Sequence, residues 1–241
     1  MERLAAEKLA VPEASIREGY MIGMIRGIDK ELQDDFYSQI GASTLNLGRK
    51  YHFDEAHSRH VAELSLFLFD ALTKEHGMNS HERTLLETAA LLHDIGMFIR
   101  GSRHQLHGQY IVTNSEIFGL KQEELDIIGN VIRYHRDELP SPAHIEYIAL
   151  QREERILVQK MAAILRLADA LDRGHTGRIT NLTIEKREET LIIRSRETSE
   201  LSQNTQDNFS LTSRDYSLEQ MGLNEKADLF LDVFGYKVIL S

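Results

Sequence analysis

The segment Leu91-Leu92-His93-Asp94-Ile95-Gly96-Met97 places a histidine and an aspartate side by side in an otherwise apolar stretch. Burying either side chain without a partner is costly, so both need a compensating group. Neutral imidazole and carboxylate are good ligands for divalent cations, and a bound metal would therefore compensate both. The doublet predicts a buried metal site, provided that the rest of the chain supplies further ligands.

The composition is that of a globular protein. The chain has 241 residues, of which 41% are hydrophobic and 27% charged, and cysteine is absent. Without cysteine there are no disulfides and no thiolate metal sites, which fits a cytoplasmic location. The sequence shows neither a long apolar run nor a secretory signal, so we expect no association with a membrane. The formal net charge of −10 argues against duplex nucleic acid as a partner.

Hydrophobic periodicity is helical in the first part of the chain and alternates after Gly177. The predicted helices are 13–29, 32–50, 54–75, 80–98, 104–116, 121–136 and 151–173. The later predicted elements are strands at 180–186 and 190–195, a loop at 200–208, extended chain at 215–221, a helix at 223–234 and a strand at 236–240. We therefore expect a mainly α fold, with a helical bundle followed by a small C-terminal α+β unit.

Several histidines and aspartates are predicted to point inward from separate helices. His57, for example, lies at the centre of an apolar stripe that continues through Val61, Leu64 and Leu68. The inward set comprises His57, His93, Asp94, His107, His135 and Asp169, with His104 as a rival of His107. Four imidazoles and two carboxylates suit two cations better than one, and Asp94 is able to bridge them. The alternative is a set of unrelated core histidines, each with its own hydrogen bonds.

Particular motifs also carry a family resemblance. They are Ser15-Ile16-Arg17-Glu18-Gly19-Tyr20, His93-Asp94-Ile95-Gly96, the spacing of His104 and His107, Arg133-Tyr134-His135-Arg136, Leu165-Arg166-Leu167-Ala168-Asp169-Ala170-Leu171-Asp172-Arg173 and Val233-Phe234-Gly235. The order of histidines and aspartates resembles the HD superfamily of metal-dependent phosphohydrolases. From about residue 13 onward, the motifs resemble the C-terminal region of the Ppx/GppA family, the exopolyphosphatases and guanosine pentaphosphatases.

The resemblance implies an N-terminal tail (1–12), an HD-type helical metal-binding domain (13–176) and a small α+β unit (177–241). The residues that correspond to metal ligands of HD enzymes are His57, His93, Asp94 and Asp169; His107 and His135 match the extra histidines of two-metal subgroups. Asp172 is expected to support a ligand rather than to be one. The family's phosphatase chemistry belongs to an actin-like N-terminal domain, and nothing in this chain resembles its phosphate-binding loops. We therefore expect either a fragment or a stand-alone relative.

The predicted function is that of a metal-dependent phosphohydrolase acting on a phosphorylated anion, namely a nucleotide, a guanosine polyphosphate or polyphosphate. Two divalent cations (Mn, Mg, Fe or Zn) would activate water, and Asp94 would take part in catalysis. Arg173 and Arg136 are the candidates for orienting the anion, and Arg100 and Arg103 are further candidates.

Two other functions remain open at this point. The chain could be a non-catalytic regulatory, binding or dimerisation module that works with a separate actin-like exopolyphosphatase domain. It could also be a di-iron oxygenase, since some HD relatives use the same six ligands with iron. Nitrogen and oxygen ligand sets accept both iron and manganese, so the residues do not separate these cases.

Overall fold

A computed structural model describes residues 30–195 and 216–241. The helical part comprises α1 (Lys30–Lys50), α2 (Glu55–Ala71), α3 (Thr73–His76), α4 (Ser80–Leu92), a 3-10 turn (Ile95–Phe98), α5 (His104–Thr113), α6 (Gln122–Arg133), α7 (Ile145–Ile148) and α8 (Arg152–Leu171). The remainder comprises β1 (Leu182–Arg187), β2 (Thr190–Ser195), α9 (Ser217–Lys226), α10 (Asp228–Phe234) and β3 (Lys237–Leu240). The predicted fold class, mainly α with a small α+β unit, is confirmed. Among the described residues, no helix has the length and apolar character that a membrane span requires.

Helix α8 is the centre of the fold. Every residue from 161 to 171 is buried, including Arg166 and Asp169. A helix that is buried on all sides needs neighbours all round, and α8 packs against α2, α6, α9 and α10. The two charged residues are therefore surrounded by protein and require partners there.

The sequence also fixes where the helices that lead to the site begin. The side chain of Asp54 caps α2, since its Oδ1 accepts a hydrogen bond from the His57 backbone N–H at 3.2 Å. Asn79 and Glu82 form a capping box at the start of α4. The cap at Asp54 places His57 in the first turn of α2, and its side chain is buried.

The C-terminal unit, meaning the described residues 177–195 and 216–241, contains a three-stranded sheet in the order β1-β2-β3. Strand β2 pairs antiparallel with β1 and parallel with β3, so that Ile193 lies opposite both Ile184 and Leu240. Ile193 and Leu240 are part of the hydrophobic core. The unit also contacts α2, because the Lys186 ammonium donates to the Ala71 carbonyl at 3.3 Å.

Several element limits differ from the prediction. The single helix predicted at 54–75 is interrupted at Leu72, and the helix predicted at 80–98 ends at Leu92. The extended chain predicted at 215–221 is wrong for residues 217–221, which belong to α9. Glu219, Gly222 and Leu223 are the buried residues of this helix, and their spacing of three and four residues lets α9 pack on α8.

Residues 1–29 and 196–215 lie outside the described part of the chain. The predicted tail (1–12), the helix predicted at 13–29 and the loop predicted at 200–208 fall on these residues. The domain limits stay a prediction.

Candidate metal centre

The His93-Asp94 doublet lies where α4 ends. His93 still has helical backbone angles, and Asp94 leads into the 3-10 turn. Gly96 allows the close approach of α5, because a Cβ there would lie 2.0 Å from the His104 carbonyl oxygen and 2.4 Å from the Gly108 nitrogen. The absence of a side chain at Gly96 therefore brings α5 next to the doublet.

A first group of potential ligands joins three helices or helix ends. It consists of His57 on α2, His93 after α4 and Asp169 on α8, all of them buried. Their ligating atoms lie within 4.8 Å of one another. His57 Nε2 is 3.2 Å from His93 Nε2 and 3.9 Å from Asp169 Oδ1.

A second group lies beside the first. It consists of Asp94, His104 at the start of α5 and His135 after α6. His104 Nε2 is 2.9 Å from Asp94 Oδ1 and 3.4 Å from His135 Nε2. Both histidines are buried.

Asp94 connects the two groups through its two oxygens. Oδ1 faces the second group, at 2.9 Å from His104 Nε2 and 3.7 Å from His135 Nε2. Oδ2 faces the first group, at 3.7 Å from His93 Nε2. This is the arrangement expected of a carboxylate that bridges two cations.

The hydrogen bonds on the far side of each ring determine which nitrogen is free. The Nδ1 atoms of His93, His104 and His135 lie 2.7–2.9 Å from the carbonyl oxygens of Ala90, Gly101 and Ile132. His57 Nδ1 lies 2.8 Å from Asp172 Oδ2. Carbonyl and carboxylate oxygens only accept, so each Nδ1 carries a hydrogen and each Nε2 can present a lone pair. The Nε2 atom of His57 then faces that of His93, and the Nε2 atom of His104 faces that of His135. Two facing lone pairs repel each other unless a proton or a cation lies between them.

The distances fit a cation. Two ligands bound at about 2.1 Å to one ion lie about 3.0 Å apart at right angles and about 3.4 Å apart in a tetrahedron. The shortest separations within the groups are 2.9 Å, 3.2 Å and 3.4 Å. The last two fall in this range, and the first lies just below it. A set of imidazoles and carboxylates is also chemically suited to Zn, Mn, Fe or similar divalent ions. The residues present therefore fit two metal ions.

The ionisation of the carboxylates also favours cation binding. Burial tends to raise the pKa of Asp94, but the nearby His93 and the hydrogen bond with His104 outweigh it and hold that pKa far below its usual range. Burial also tends to raise the pKa of Asp169. The nearby Lys226 and His93 outweigh burial, so that this pKa is lowered. Both side chains are therefore anionic at neutral pH.

The histidines differ in their ionisation. Burial, together with the nearby His93, lowers the pKa of His135 to about 3, so this ring is neutral and ready to act as a ligand. Burial also tends to lower the pKa of His57 and of His104, but Asp172 and Asp94 respectively raise both pKa values above the usual one. A cation would therefore compete with protons at these two rings.

A cavity of about 400 Å³ opens onto the two groups. Its lining includes three of the potential ligands, Asp94, His135 and Asp169, and both arginines proposed from the sequence, Arg136 and Arg173. Arg173 Nη1 lies 2.8 Å from Glu225 Oε2, and Arg136 Nε lies 3.3 Å from Asp137 Oδ2. Arg100 and Arg103 are not part of this lining.

The structure thus places five of the six predicted ligands in the two groups and His107 in neither. His104 takes that position, because it shares the buried face of α5 with Gly108 and Ile111, whereas His107 is only half-buried. The spacing of His104, Gly108 and Ile111 is the sequence signal that favours His104.

Two residues near the groups were not predicted. His175 stacks on His57 with 3.5 Å between ring centroids, and it forms a further possible ligand group with His57 and Asp94. Lys226, from the C-terminal unit, donates a hydrogen bond to Asp169 Oδ2. No periodic pattern marks either residue, because His175 lies in a turn and Lys226 reaches the site only through the packing of α9.

The fold and these side chains define a helical protein with an internal histidine–aspartate site open to a polar cavity. The sequence family described as "Ppx/GppA phosphatase, domain III" matches residues 41–226. The chain therefore belongs to the Ppx/GppA phosphatase family. This confirms the resemblance to the C-terminal part of that family, and an HD-type arrangement of helices is consistent with domain III.

Similar curated proteins carry the name guanosine-5'-triphosphate,3'-diphosphate pyrophosphatase. The protein of Pseudoalteromonas translucida is 28% identical over 169 residues, which are 69% of this chain and 32% of the relative. That of Pseudoalteromonas atlantica is 26% identical over 168 residues, with the same coverage. That of Aeromonas hydrophila is 25% identical over 195 residues, 80% of this chain and 37% of the relative. The chain thus spans about a third of the length of these relatives.

Proposed function

We propose that the chain is a metal-dependent phosphohydrolase of the HD type with two divalent cations, of Mn, Mg, Fe or Zn. The proposed ligands are His57, His93, Asp94, His104, His135 and Asp169. The observation that supports this most strongly is the two pairs of Nε2 atoms that face each other at 3.2 Å and 3.4 Å, with each Nδ1 engaged elsewhere. Facing nitrogens at these distances need a proton or a cation between them, and two cations would take the place of the protons at both pairs.

The charge of the cavity supports the same proposal. Its lining contains five carboxylates (Asp94, Asp137, Asp169, Glu225 and Asp228) and four cationic side chains (Arg136, Arg166, Arg173 and Lys226). Without further positive charge, this excess of carboxylates would repel a phosphate. Two divalent cations would reverse the sign of the local field and allow an anion to bind.

Bound divalent cations would supply Lewis acidity, lowering the pKa of water and neutralising charge on phosphate oxygens. The chain would hold the reacting groups in place around them. Asp172 orients His57 through the bond to Nδ1, and the backbone carbonyls orient the other three imidazoles. Arg136 and Arg173 each have guanidinium donors left after pairing with one carboxylate, and these donors would orient the phosphate.

The proposed substrates are phosphorylated anions. The names of the relatives concern guanosine-5'-triphosphate,3'-diphosphate, which makes guanosine polyphosphates and other nucleotides the first compounds to test, followed by polyphosphate. The cavity is of the size that binds small ligands.

The test is phosphate release by the purified chain after chelation and reloading with each cation, measured over a panel of phosphorylated compounds. We expect release that requires the cation and is lost in Asp94→Asn, which keeps the shape of the side chain but not its charge. Asp34→Asn, on the exposed face of α1, is the matched control and should behave as the wild type. Arg136→Met and Arg173→Met should raise the KM about tenfold, whereas Arg100→Met should not.

Absence of cation-dependent release from every compound would contradict the proposal. If the chain still bound two cations in that case, the regulatory or docking module considered from the sequence would be favoured instead. Cation-dependent oxygen consumption with bound iron would favour the oxygenase.

A further inference from the structure

Lys226, the last residue of α9, extends from the C-terminal unit into the metal centre. Its Nζ donates a hydrogen bond to Asp169 Oδ2. The two side chains are only 14% and 11% exposed, so solvent screens their attraction much less than that of a surface ion pair. Helix α9 therefore brings a positive charge beside one of the proposed ligands.

Arg166 holds this part of α9 in place. Its guanidinium donates from Nε to the Lys226 carbonyl at 3.0 Å, from Nη2 to Asp228 Oδ1 at 2.8 Å and from Nη1 to the Tyr134 carbonyl at 3.2 Å. Arg166 is only 2% exposed, and Tyr134 directly precedes His135. This buried arginine thus ties the junction of α9 and α10 to the end of α6, next to a proposed ligand.

The two oxygens of Asp169 consequently face different partners. Oδ1 points towards the first group, at 3.9 Å from His57 Nε2, while Oδ2 is engaged by Lys226. Carboxylates bind cations through one oxygen or through both. Catalytic metal sites need a coordination position that the protein does not fill, and coordination by a single oxygen of Asp169 would leave one.

We propose that Lys226 is a positioning residue that restricts Asp169 to coordination through Oδ1, so that the C-terminal unit keeps a position open for substrate at the first group. This inference rests on the proposed function, since it requires a cation between His57, His93 and Asp169. Removing the ammonium would free Oδ2 and would also remove a positive charge close to the cations. Both effects strengthen cation binding. The first, which lets Oδ2 coordinate the cation as well, also closes the open position.

The test compares Lys226→Met with Lys226→Arg, which keeps the charge, and with Lys237→Met, which removes an exposed lysine of the same unit. Calorimetry with Mn²⁺ gives the affinity, and thermal unfolding of the chelated protein gives the stability without cations. We expect Lys226→Met to bind Mn²⁺ about tenfold more tightly, because a positive charge close to the cation is removed. It should unfold at a lower temperature when chelated, because Asp169 then lacks its partner. Its turnover should fall. Lys226→Arg should bring the Mn²⁺ affinity back towards that of the wild type, and Lys237→Met should match the wild type in both measurements.

The affinity and the stability together distinguish a positioning role of Lys226 from a structural one. A purely structural role of Lys226 in docking α9 would lower the stability and weaken the affinity together. Unchanged or weaker binding of Mn²⁺ by Lys226→Met therefore overturns the positioning role, as does equal tightening in Lys237→Met. A wild-type chain that binds no Mn²⁺ overturns the proposed function itself.

Discussion

His57 Nδ1 and Asp172 Oδ2 lie 2.8 Å apart, although 115 residues separate them in the chain. Both side chains are buried, and the backbone N–H groups of Thr176 and Gly177 donate to the other carboxylate oxygen, Oδ1. The carboxylate is therefore fixed at both oxygens, and it fixes the tautomer of His57 in turn. A partner of this kind on the far ring nitrogen is typical of histidines that bind metals.

Asp172→Asn should weaken cation binding by about 10- to 100-fold. The amide can donate to His57 Nδ1, which favours the tautomer with hydrogen on Nε2, and that tautomer is unable to bind a cation. The measurement is a Mn²⁺ titration of the chelated protein. Asp70→Asn, which alters an exposed ion pair on the same helix as His57, should leave the affinity unchanged, and a wild-type affinity in Asp172→Asn would contradict this role.

Gly96→Ala should destabilise the protein by about 3 kcal/mol, because the new methyl group would overlap the backbone of α5. The displacement of α5 should also move His104 away from Asp94 and reduce the number of bound cations. Gly41→Ala in α1 is the matched control. No atom lies within 4 Å of a Cβ at Gly41, so this change should raise the free energy of unfolding by up to about 1 kcal/mol. Denaturant unfolding measures the free energy of unfolding of both variants. Equal stability of the two would argue against the close contact at Gly96.

His104→Ala and His107→Ala separate the two candidates on α5. We expect His104→Ala to lose one of two bound cations, since His104 lies 2.9 Å from Asp94 Oδ1. His107→Ala should keep both, because His107 belongs to none of the potential ligand groups in the described part of the chain. Elemental analysis after dialysis gives the stoichiometry. The reverse result would assign His107 as the ligand.

Cation affinity should rise with pH through the neutral range and level off above the pKa values of His57 and His104, which lie above the usual histidine value. The pKa values of His57 and His104 are raised by their carboxylate partners. Near neutral pH, these rings therefore hold protons that a cation must displace, and fewer remain as the pH increases. His135, with a pKa of about 3, adds no dependence in this range. Calorimetry in two buffers of different ionisation enthalpy should show proton release, and pH-independent affinity would exclude this competition.

The sequence was sufficient to predict most of the helices and the convergence of the doublet with His57, His135 and Asp169. Each of these side chains lies among apolar neighbours at helical spacing, so its inward direction follows from local periodicity. The choice between His104 and His107 depended on the exact rotation of a short helix. Its apolar residues permitted both, and only the position of Gly108, four residues after His104, favours His104. The register was decided by the contact of α5 with Gly96.

The contributions of Lys226 and His175 could not be predicted in the same way. Lys226 reaches Asp169 because α9 packs on α8 and Arg166 fixes its end. His175 reaches His57 from a turn with a positive φ of 51°. Both positions result from tertiary contacts between segments far apart in the chain, and alternation of apolar and polar residues carries no information about them. The extended chain predicted at 215–221 was wrong at residues 217–221 for a related reason, since the buried face of α9 is formed by a glutamate, a glycine and a leucine.

We propose that two cations lie among the six side chains His57, His93, Asp94, His104, His135 and Asp169. Anomalous diffraction from crystals soaked in Mn²⁺ tests it most directly, because the peaks locate the ions without reference to activity. We expect one peak between His57, His93 and Asp169 and a second between His104 and His135, with Asp94 in contact with both. Peaks confined to surface carboxylates, or none within bonding distance of these side chains, would contradict it.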